Sequence, residues 1–139
     1  SGNSTLFYAQ RVKRVVSVEH DEAWYNKIVK EKAPNAEMIF THLETGGEYS
    51  KKASLLGEKF DVIIVDGRDR VNCCKHSVDA LSTNGVLVLD DSEREVYEDA
   101  RTFLTARGFK ELPFTGISPG LFYNKATSVF YKADNCLGI

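Results

Sequence analysis

The chain has 139 residues with a formal net charge of −2, and 42% of them are hydrophobic and 27% charged. These values are ordinary for a soluble globular domain, and we expect one domain over residues 1–139. The net charge gives no field that would attract nucleic acid or an acidic membrane, and no apolar run approaches the roughly 20 residues needed to span a bilayer. Cys73, Cys74 and Cys136 lack metal-ligand spacing, which predicts reduced thiols in a cytoplasmic protein.

Helical and strand patterns alternate along most of the chain. A short helix capped by Asn3 or Ser4 opens it, and Pro34 is expected to end the second helix. The order is helix, strand, helix, strand, helix, strand, helix, strand, helix, with predicted bounds 4–11, 14–21, 22–34, 36–44, 51–59, 60–65, 72–82, 86–89 and 93–107.

Two stretches, FDVIIVDGRDR and NGVLVLDDSER, share one design. Each is an apolar run that ends in acids, Asp66 in the first and Asp90-Asp91 in the second. The run 62–65 is apolar at every position, which predicts a central parallel strand that is buried on both faces.

The C-terminal part changes character. Strands predicted at 109–117 and 126–132 have no helix between them, so they must pair antiparallel. The alternation before them predicts an α/β fold: a doubly wound, Rossmann-like, mainly parallel sheet with helices on both faces and a C-terminal antiparallel strand pair.

Ligands of such sheets lie beyond the carboxyl ends of the strands. The spacing from Gly2 to Glu19 is close to the roughly 20 residues that separate a glycine-rich first loop from an acid on the next strand. The glycine would let the backbone approach a ligand closely, and the carboxylate would accept hydrogen bonds from ribose hydroxyls. The alternative is a turn glycine and a solvent-exposed acid.

Several segments resemble the class I S-adenosylmethionine-dependent methyltransferases. SGNST resembles the second half of their glycine-rich first motif, VVSVEHD the second motif, FDVIIVDGRDR the fourth and GVLVLDDSER the fifth-strand segment. The C-terminal antiparallel pair also distinguishes this family from nicotinamide-binding domains. DVIIVDGRDRV resembles a bacterial methyltransferase-like subgroup for which we know no substrate.

The resemblance does not extend to the family's first strand and N-terminal helices, which have no counterpart in this sequence. That strand would lie between the predicted strands 14–19 and 60–65, and an empty slot would leave many backbone groups unpaired, at about 1–3 kcal/mol each. We therefore expect that upstream residues or another chain fill the slot, or that the sheet is rearranged.

The resemblance also implies roles for individual residues. Glu19 would hold the ribose hydroxyls and His20 would flank the adenine. His42 and Leu43 would contact the adenine edge, where a histidine departs from the family pattern. The full set implied for S-adenosylmethionine is Ser1, Gly2, Asn3, Glu19, His20, His42, Leu43 and Asp66.

The catalytic candidates are Asp66, Arg68 and Asp90. Arg68 would hold an anionic substrate, or form a surface ion pair with Asp69 or Asp91. Methyl transfer mainly requires placement of the nucleophile, and a base is needed where the nucleophile loses a proton. Asp66, Asp90, Asp91 and His76 are the candidate bases, although His76 more often would be a packed or exposed histidine.

Asp66 with Asp90-Asp91 also resembles the acids by which catechol-type O-methyltransferases hold Mg²⁺. That family has Asp-Asn at the second position, and paired acids at strand ends are common without a metal, so we predict no metal site.

We therefore predict S-adenosylmethionine-dependent methyl transfer to a small molecule, with no nucleic-acid or membrane partner. An inactive methyltransferase-like binding module and an NAD(P)-dependent oxidoreductase remain as alternatives. The sequence does not identify the acceptor, and it is compatible with a homo-oligomer.

Overall fold

The computed structural model describes residues 2–117, 120 and 122–139. The chain folds as two compact units, Ser1–Tyr49 and Ser50–Ile139. In the described residues no helix combines the length and the apolar character needed to cross a bilayer.

The first unit is built on a two-stranded parallel sheet. Its elements are α1 (Asn3–Ala9), β1 (Val15–Glu19), α2 (Glu22–Ile28) and β2 (Ala36–Phe40), and α3 (Glu48–Leu55) begins at its end. β1 and β2 pair in register from Val15↔Ala36 to Glu19↔Phe40. The carboxyl ends of both strands therefore lie at one edge of the sheet.

Helix α1 runs alongside β1 in the opposite direction. Thr5 Oγ1 lies 2.9 Å from Ser17 Oγ in the middle of the strand, whereas Asn35 Nδ2, just before β2, donates to the Ala9 carbonyl over 2.8 Å. The end of α1 thus lies near the amino edge of the sheet, and its beginning lies toward the carboxyl edge, on the side of Glu19.

Two predicted helix boundaries in this unit are wrong. Gly2, not Asn3 or Ser4, is the N-cap of α1, and no side chain caps the helix. Helix α2 ends at Ile28, six positions before Pro34. Its beginning is well defined, because the Asp21 carboxylate accepts a hydrogen bond of 2.8 Å from the Trp24 backbone N–H.

The second unit is built on a four-stranded mixed sheet in the order β3-β4-β6-β5. β3 pairs with β4 in parallel, whereas β6 is antiparallel to both β4 and β5. Its elements are β3 (Phe60–Val65), α4 (Arg70–Ser77), β4 (Leu81–Asp90), α5 (Glu98–Ala106), β5 (Lys110–Ile117) and β6 (Asn124–Tyr131), with 3₁₀ turns at Val78–Ala80 and Glu95–Tyr97.

The α/β alternation and the C-terminal antiparallel pair are confirmed. The details of the sheet differ from the prediction, because the described strands form two hydrogen-bonded sheets in which β1 pairs with β2 and β3 pairs with β4. Val62 and Ile64 of β3 are 40% and 37% exposed, so burial of β3 on both faces is wrong. A strand with a single hydrogen-bonded neighbour among the described strands is less shielded from solvent than a central strand.

The core of the second unit lies between its sheet and the helices α4 and α5. Leu87 and Leu89 of β4, Leu104 of α5 and Phe130 of β6 are all fully buried. Each such side chain contributes about 1.5–3 kcal/mol by leaving water. This core holds the carboxyl ends of β3 and β4 next to each other.

Candidate functional site

Glu19 closes β1 and is held in a fixed orientation. It is 7% exposed, and its Oε1 accepts hydrogen bonds from the backbone N–H groups of His20 (2.8 Å) and Asp21 (3.0 Å). His20 Nδ1 lies 3.3 Å from the same oxygen. The turn after β1 therefore presents a carboxylate at the carboxyl edge of the first sheet.

Gly2 lies at the same edge, for a reason that the sequence did not reveal. Its φ is +96°, a value that side chains rarely tolerate. A Cβ atom at this position would lie 3.2 Å from the Trp24 ring and 3.3 Å from Ile28 Cδ1. The contact with α2 thus requires the glycine, whether or not a ligand is bound. Of its predicted neighbours, Asn3 is exposed and Ser1 lies outside the described residues.

Aromatic contacts place His20, predicted to flank the adenine, and His42, predicted to contact the adenine edge. The His20 ring packs edge-on against Tyr49 with centroids 5.5 Å apart, and His42 packs edge-on against Phe40 at 4.9 Å. Leu43 is 42% exposed. These side chains follow the ends of β1 and β2, and the exposed His42 and Leu43 are accessible to a ligand.

Thr41 is a residue that the sequence reasoning missed. It follows β2 directly, and its backbone N–H donates to the Glu19 carbonyl over 3.0 Å. The residue is 6% exposed, yet its hydroxyl has no hydrogen-bond partner in the part of the chain that the structure describes. An unpaired buried hydroxyl is unfavourable by about 1–3 kcal/mol, which a ligand at this edge could offset.

In the second unit, the acids predicted at the ends of β3 and β4 meet. The carboxyl groups of Asp66 and Asp90 lie close enough to share a hydrogen bond when one of them is protonated. Thr127 Oγ1, from β6, donates to Asp90 Oδ1 over 2.7 Å. The side chains of Asp66 and Asp90 are 54% and 31% exposed, so both carboxyl groups are accessible from solvent.

The surroundings shift the pKa values of Asp66 and Asp90 in opposite directions. Partial burial raises the pKa of Asp66, and the hydrogen bond to Asp90 and its negative charge raise it further, against the opposing charge of Arg70. Burial would also raise the pKa of Asp90, but hydrogen bonds from Thr127 and Asp66, with the charge of Arg70, hold it below its usual value. As the pH falls, Asp66 is therefore the first of the two carboxyl groups to take up a proton, and Asp90 stays ionised to lower pH.

Arg70 is the second residue that the sequence reasoning missed. Its guanidinium lies 3.4 Å from Asp66, 3.5 Å from Asp90 and 3.4 Å from Asp91. It also donates to the Asp90 carbonyl and, over 3.0 Å, to the Gly67 carbonyl. The spacing of four residues from Asp66 into the first turn of α4 was the available sequence signal.

Arg68, the arginine that was predicted to be catalytic, is exposed. Asp91 pairs with Arg70, Arg94 and Lys125, and the predicted ion pair between Arg68 and Asp91 is not found among the described residues. His76 is a packed histidine, since its Nδ1 lies 3.1 Å from Ser50 Oγ.

No group of three or more His, Cys, Asp or Glu side chains within the described ranges is arranged to hold a metal ion. The acids that suggested Mg²⁺ surround Arg70, whose guanidinium lies within 3.5 Å of all three carboxyl groups. The positive charge next to these three carboxyl groups is therefore the guanidinium of Arg70.

Neither a protein-family model nor a curated protein sequence matches the chain. Its structure is similar to that of an rRNA methylase from Streptococcus thermophilus, with a TM-score of 0.69, 15% identity and coverage of 94% of this chain and 81% of the other. It is also similar to the N-methyltransferase NodS from Bradyrhizobium japonicum WM9, with a TM-score of 0.66, 17% identity and coverage of 94% and 80%.

The same NodS protein in complex with S-adenosyl-L-homocysteine gives a TM-score of 0.65 at 15% identity, with coverage of 95% of this chain and 73% of the other. At these identities the similarity establishes the fold. The chain therefore has the class I methyltransferase fold that the sequence motifs predicted.

Proposed function

We propose that the chain binds S-adenosylmethionine and transfers its methyl group to an acceptor. The observation that carries this proposal is the fixed carboxylate of Glu19 at the carboxyl edge of β1 and β2. Its hydrogen bonds to the N–H groups of His20 and Asp21 hold it ready to accept hydrogen bonds from ligand hydroxyls. The methyltransferase fold supports a nucleoside as that ligand, because this fold binds ligands beyond the carboxyl ends of its strands.

The residues at this edge fit a nucleoside. Thr41 supplies a buried hydroxyl that lacks a partner among the described residues, next to the exposed His42. A ribose or an adenine offers both donors and acceptors to such a hydroxyl. The set proposed to hold the nucleoside is therefore Glu19, His20, Thr41, His42 and Leu43. Gly2 is proposed to shape this edge through its contact with α2.

S-adenosylmethionine, when bound, supplies a methyl group already activated by a positive sulfur. The protein then has to position the acceptor and to take up a proton from it. Asp66 suits the second task, because its raised pKa makes its ionised form a better proton acceptor than an ordinary aspartate. Asp90 holds Asp66 in place and remains ionised beside it.

The class of acceptor is a separate question. A small molecule remains our prediction. The comparisons do not support the exclusion of nucleic acid, because one of the similar structures is an rRNA methylase.

Isothermal titration calorimetry with S-adenosyl-L-homocysteine and with NADH tests the proposal. We expect saturable binding of S-adenosyl-L-homocysteine and no binding of NADH. Binding of NADH alone would favour the oxidoreductase alternative and contradict the proposal. Binding of neither compound would favour an inactive module. Methyl transfer from radiolabelled S-adenosylmethionine to pools of amines, alcohols and RNA then separates an active enzyme from a protein that only binds the cofactor.

A further inference from the structure

The first sheet has a cavity at its amino edge, opposite the edge that carries Glu19. This amino-edge cavity is open to solvent and has a volume of about 400 Å³, which is within the roughly 300–1,000 Å³ of typical ligand sites. The charged residues that line it are Lys13, Arg14, Lys32 and Glu37. Three basic side chains and a single carboxylate therefore surround one space, and positive charge is in excess there.

The charges of the first unit are separated between the two edges of its sheet. The turns that follow β1 and β2, residues 20–21 and 41–47, contain no lysine or arginine. The turns that precede these strands, residues 10–14 and 29–35, contain a single acid, Glu31, and five basic residues: Arg11, Lys13, Arg14, Lys30 and Lys32. The net charge of −2 for the whole chain thus conceals a local positive field at the amino edge, which attracts an anion.

Hydrogen bonds to the backbone hold the walls of the amino-edge cavity in place. Asn35 Nδ2 donates to the carbonyls of Ala9 over 2.8 Å and of Val12 over 3.0 Å, which ties the turn after α1 to the turn before β2. Lys32 Nζ donates to the Ala36 carbonyl over 2.9 Å, and this contact uses one of the three donors of an ammonium group. Little ordering of these turns is therefore needed when a ligand binds.

The donors of the cavity suit a ligand with several acceptor oxygens. Arg14 Nη2 donates to Glu37 Oε2 over 2.7 Å, and a guanidinium has five N–H donors in a planar fork that matches a phosphate group. Lys13, next to Arg14, is exposed and adds a second, compact positive charge. A phosphate group has more acceptor oxygens than a carboxylate, so it matches three basic side chains better.

We propose that the amino-edge cavity binds a phosphate group. The proposal goes beyond the proposed function and does not rest on it, because a strand of five residues separates the two edges of the sheet by roughly 16 Å. Inorganic phosphate, a mononucleotide and the backbone of RNA all carry this group.

An exposed aromatic side chain lies close to the cavity along the chain. Phe7 is 52% exposed, and the guanidinium carbon of Arg11 lies 3.6 Å from the centre of its ring. Val12, whose carbonyl accepts from Asn35, follows Arg11 directly. Aromatic rings with cations beside them are surfaces on which bases stack, so Phe7 is the residue that would distinguish RNA from a small phosphate compound.

Titration of the nitrogen-15-labelled full chain with inorganic phosphate, at constant pH and ionic strength, tests the proposal. We expect saturable shifts of the backbone amide signals of Arg14, Asn35 and Glu37. In Lys13→Ala the affinity for phosphate should fall about two- to fivefold, since solvent screens an exposed charge. Lys30→Ala is the matched control, because it removes the same charge from an exposed position of the same unit outside the lining of the cavity. Its affinity for phosphate should equal that of the wild type.

Three results would overturn the proposal. The first is the absence of saturable shifts, and the second is an unchanged affinity in Lys13→Ala. The third is an equal loss of affinity in Lys13→Ala and Lys30→Ala, because that result indicates a general attraction by the charge of the unit and no defined site. No methyl donor is present, so failure here is distinguishable from failure to bind S-adenosyl-L-homocysteine.

Titrations with AMP and with a short single-stranded oligoribonucleotide identify the source of the phosphate group. If the source is RNA, the oligoribonucleotide should bind more tightly than inorganic phosphate, and Phe7→Ala should weaken the binding of RNA without changing that of phosphate. Equal affinities for RNA, AMP and inorganic phosphate would support the cavity as a site for a small phosphate compound.

Discussion

Replacement of Glu19 by glutamine removes one negative charge from the turn after β1 and keeps the shape of the side chain. In the wild type the carboxylate is oriented by the N–H groups of His20 and Asp21, so ligand binding need not order it. A hydrogen bond to a charged group contributes about 1.5–3 kcal/mol. The loss of one such bond to a ribose hydroxyl would weaken the binding of S-adenosyl-L-homocysteine by roughly 10- to 150-fold.

Calorimetric titration measures this change, and urea unfolding shows whether the variant is folded under the same conditions. Glu37→Gln is the matched control, because Glu37 lies on β2 and forms an exposed ion pair of 2.7 Å with Arg14. Exposed pairs of this kind contribute about 0–1 kcal/mol, so this variant should bind like the wild type. If folded Glu19→Gln binds S-adenosyl-L-homocysteine within about twofold of the wild type, the reasoning about Glu19 is refuted.

Three further predictions concern other groups. Thr41→Val removes the buried hydroxyl; we expect S-adenosyl-L-homocysteine to bind about 3- to 10-fold more weakly, by calorimetry, and the free energy of unfolding to stay constant or rise. Asp90→Asn removes the negative charge and the ionised acceptor that raise the pKa of Asp66, so the Asp66 titration followed by carbon NMR should move to lower pH. Ser128→Ala should lower the free energy of unfolding by about 1–3 kcal/mol in urea, because Ser128 Oγ is fully buried and lies 2.7 Å from Ser92 Oγ, which would lose its partner.

Each of these predictions has its own contradicting result. Unchanged affinity in Thr41→Val would mean that the hydroxyl does not face the ligand. An Asp66 titration that stays in place or moves to higher pH in Asp90→Asn would show that the two carboxyl groups are not coupled. For the serines, the variant with both Ser92 and Ser128 replaced by alanine should show a smaller loss than the sum of the single losses. Simple additivity would argue against the hydrogen bond between them.

The sequence was sufficient for the features that depend on local pattern. The apolar runs of β3 and β4 and the acids that end them are visible in the printed letters, and they place Asp66 and Asp90 at neighbouring strand ends. The antiparallel pair of β5 and β6 follows from the absence of a helix between two apolar runs. The methyltransferase fold, which the motifs predicted, is confirmed by the comparison of structures.

The sequence was insufficient where a residue depends on partners from several elements. Arg70 forms ion pairs with carboxyl groups at the ends of β3 and β4, and only the folded chain brings these groups together. Thr41 is notable because its hydroxyl lacks a partner, which no sequence pattern records. The helix predicted at 93–107 begins only at Glu98, because residues 95–97 form a 3₁₀ turn before α5, and Val96 in that turn is 71% exposed.

The aromatic residues of the C-terminal part differ in burial. Phe114 is 60% exposed and Tyr123 is 55% exposed, whereas Phe130 is fully buried. Phe130 lies on β6, between β4 and β5, and Phe114 lies on the edge strand β5, one side of which has no neighbour among the described strands. The position of a strand within its sheet, which the sequence does not specify, decides the burial.

A nitrogen-15 NMR titration of the full chain with S-adenosyl-L-homocysteine tests the central claim most directly. The account predicts saturable shifts of the backbone amide signals of His20, Asp21, Thr41 and His42, and their weakening in Glu19→Gln. A titration that leaves these four signals unchanged, or that moves only signals elsewhere in the chain, would contradict it.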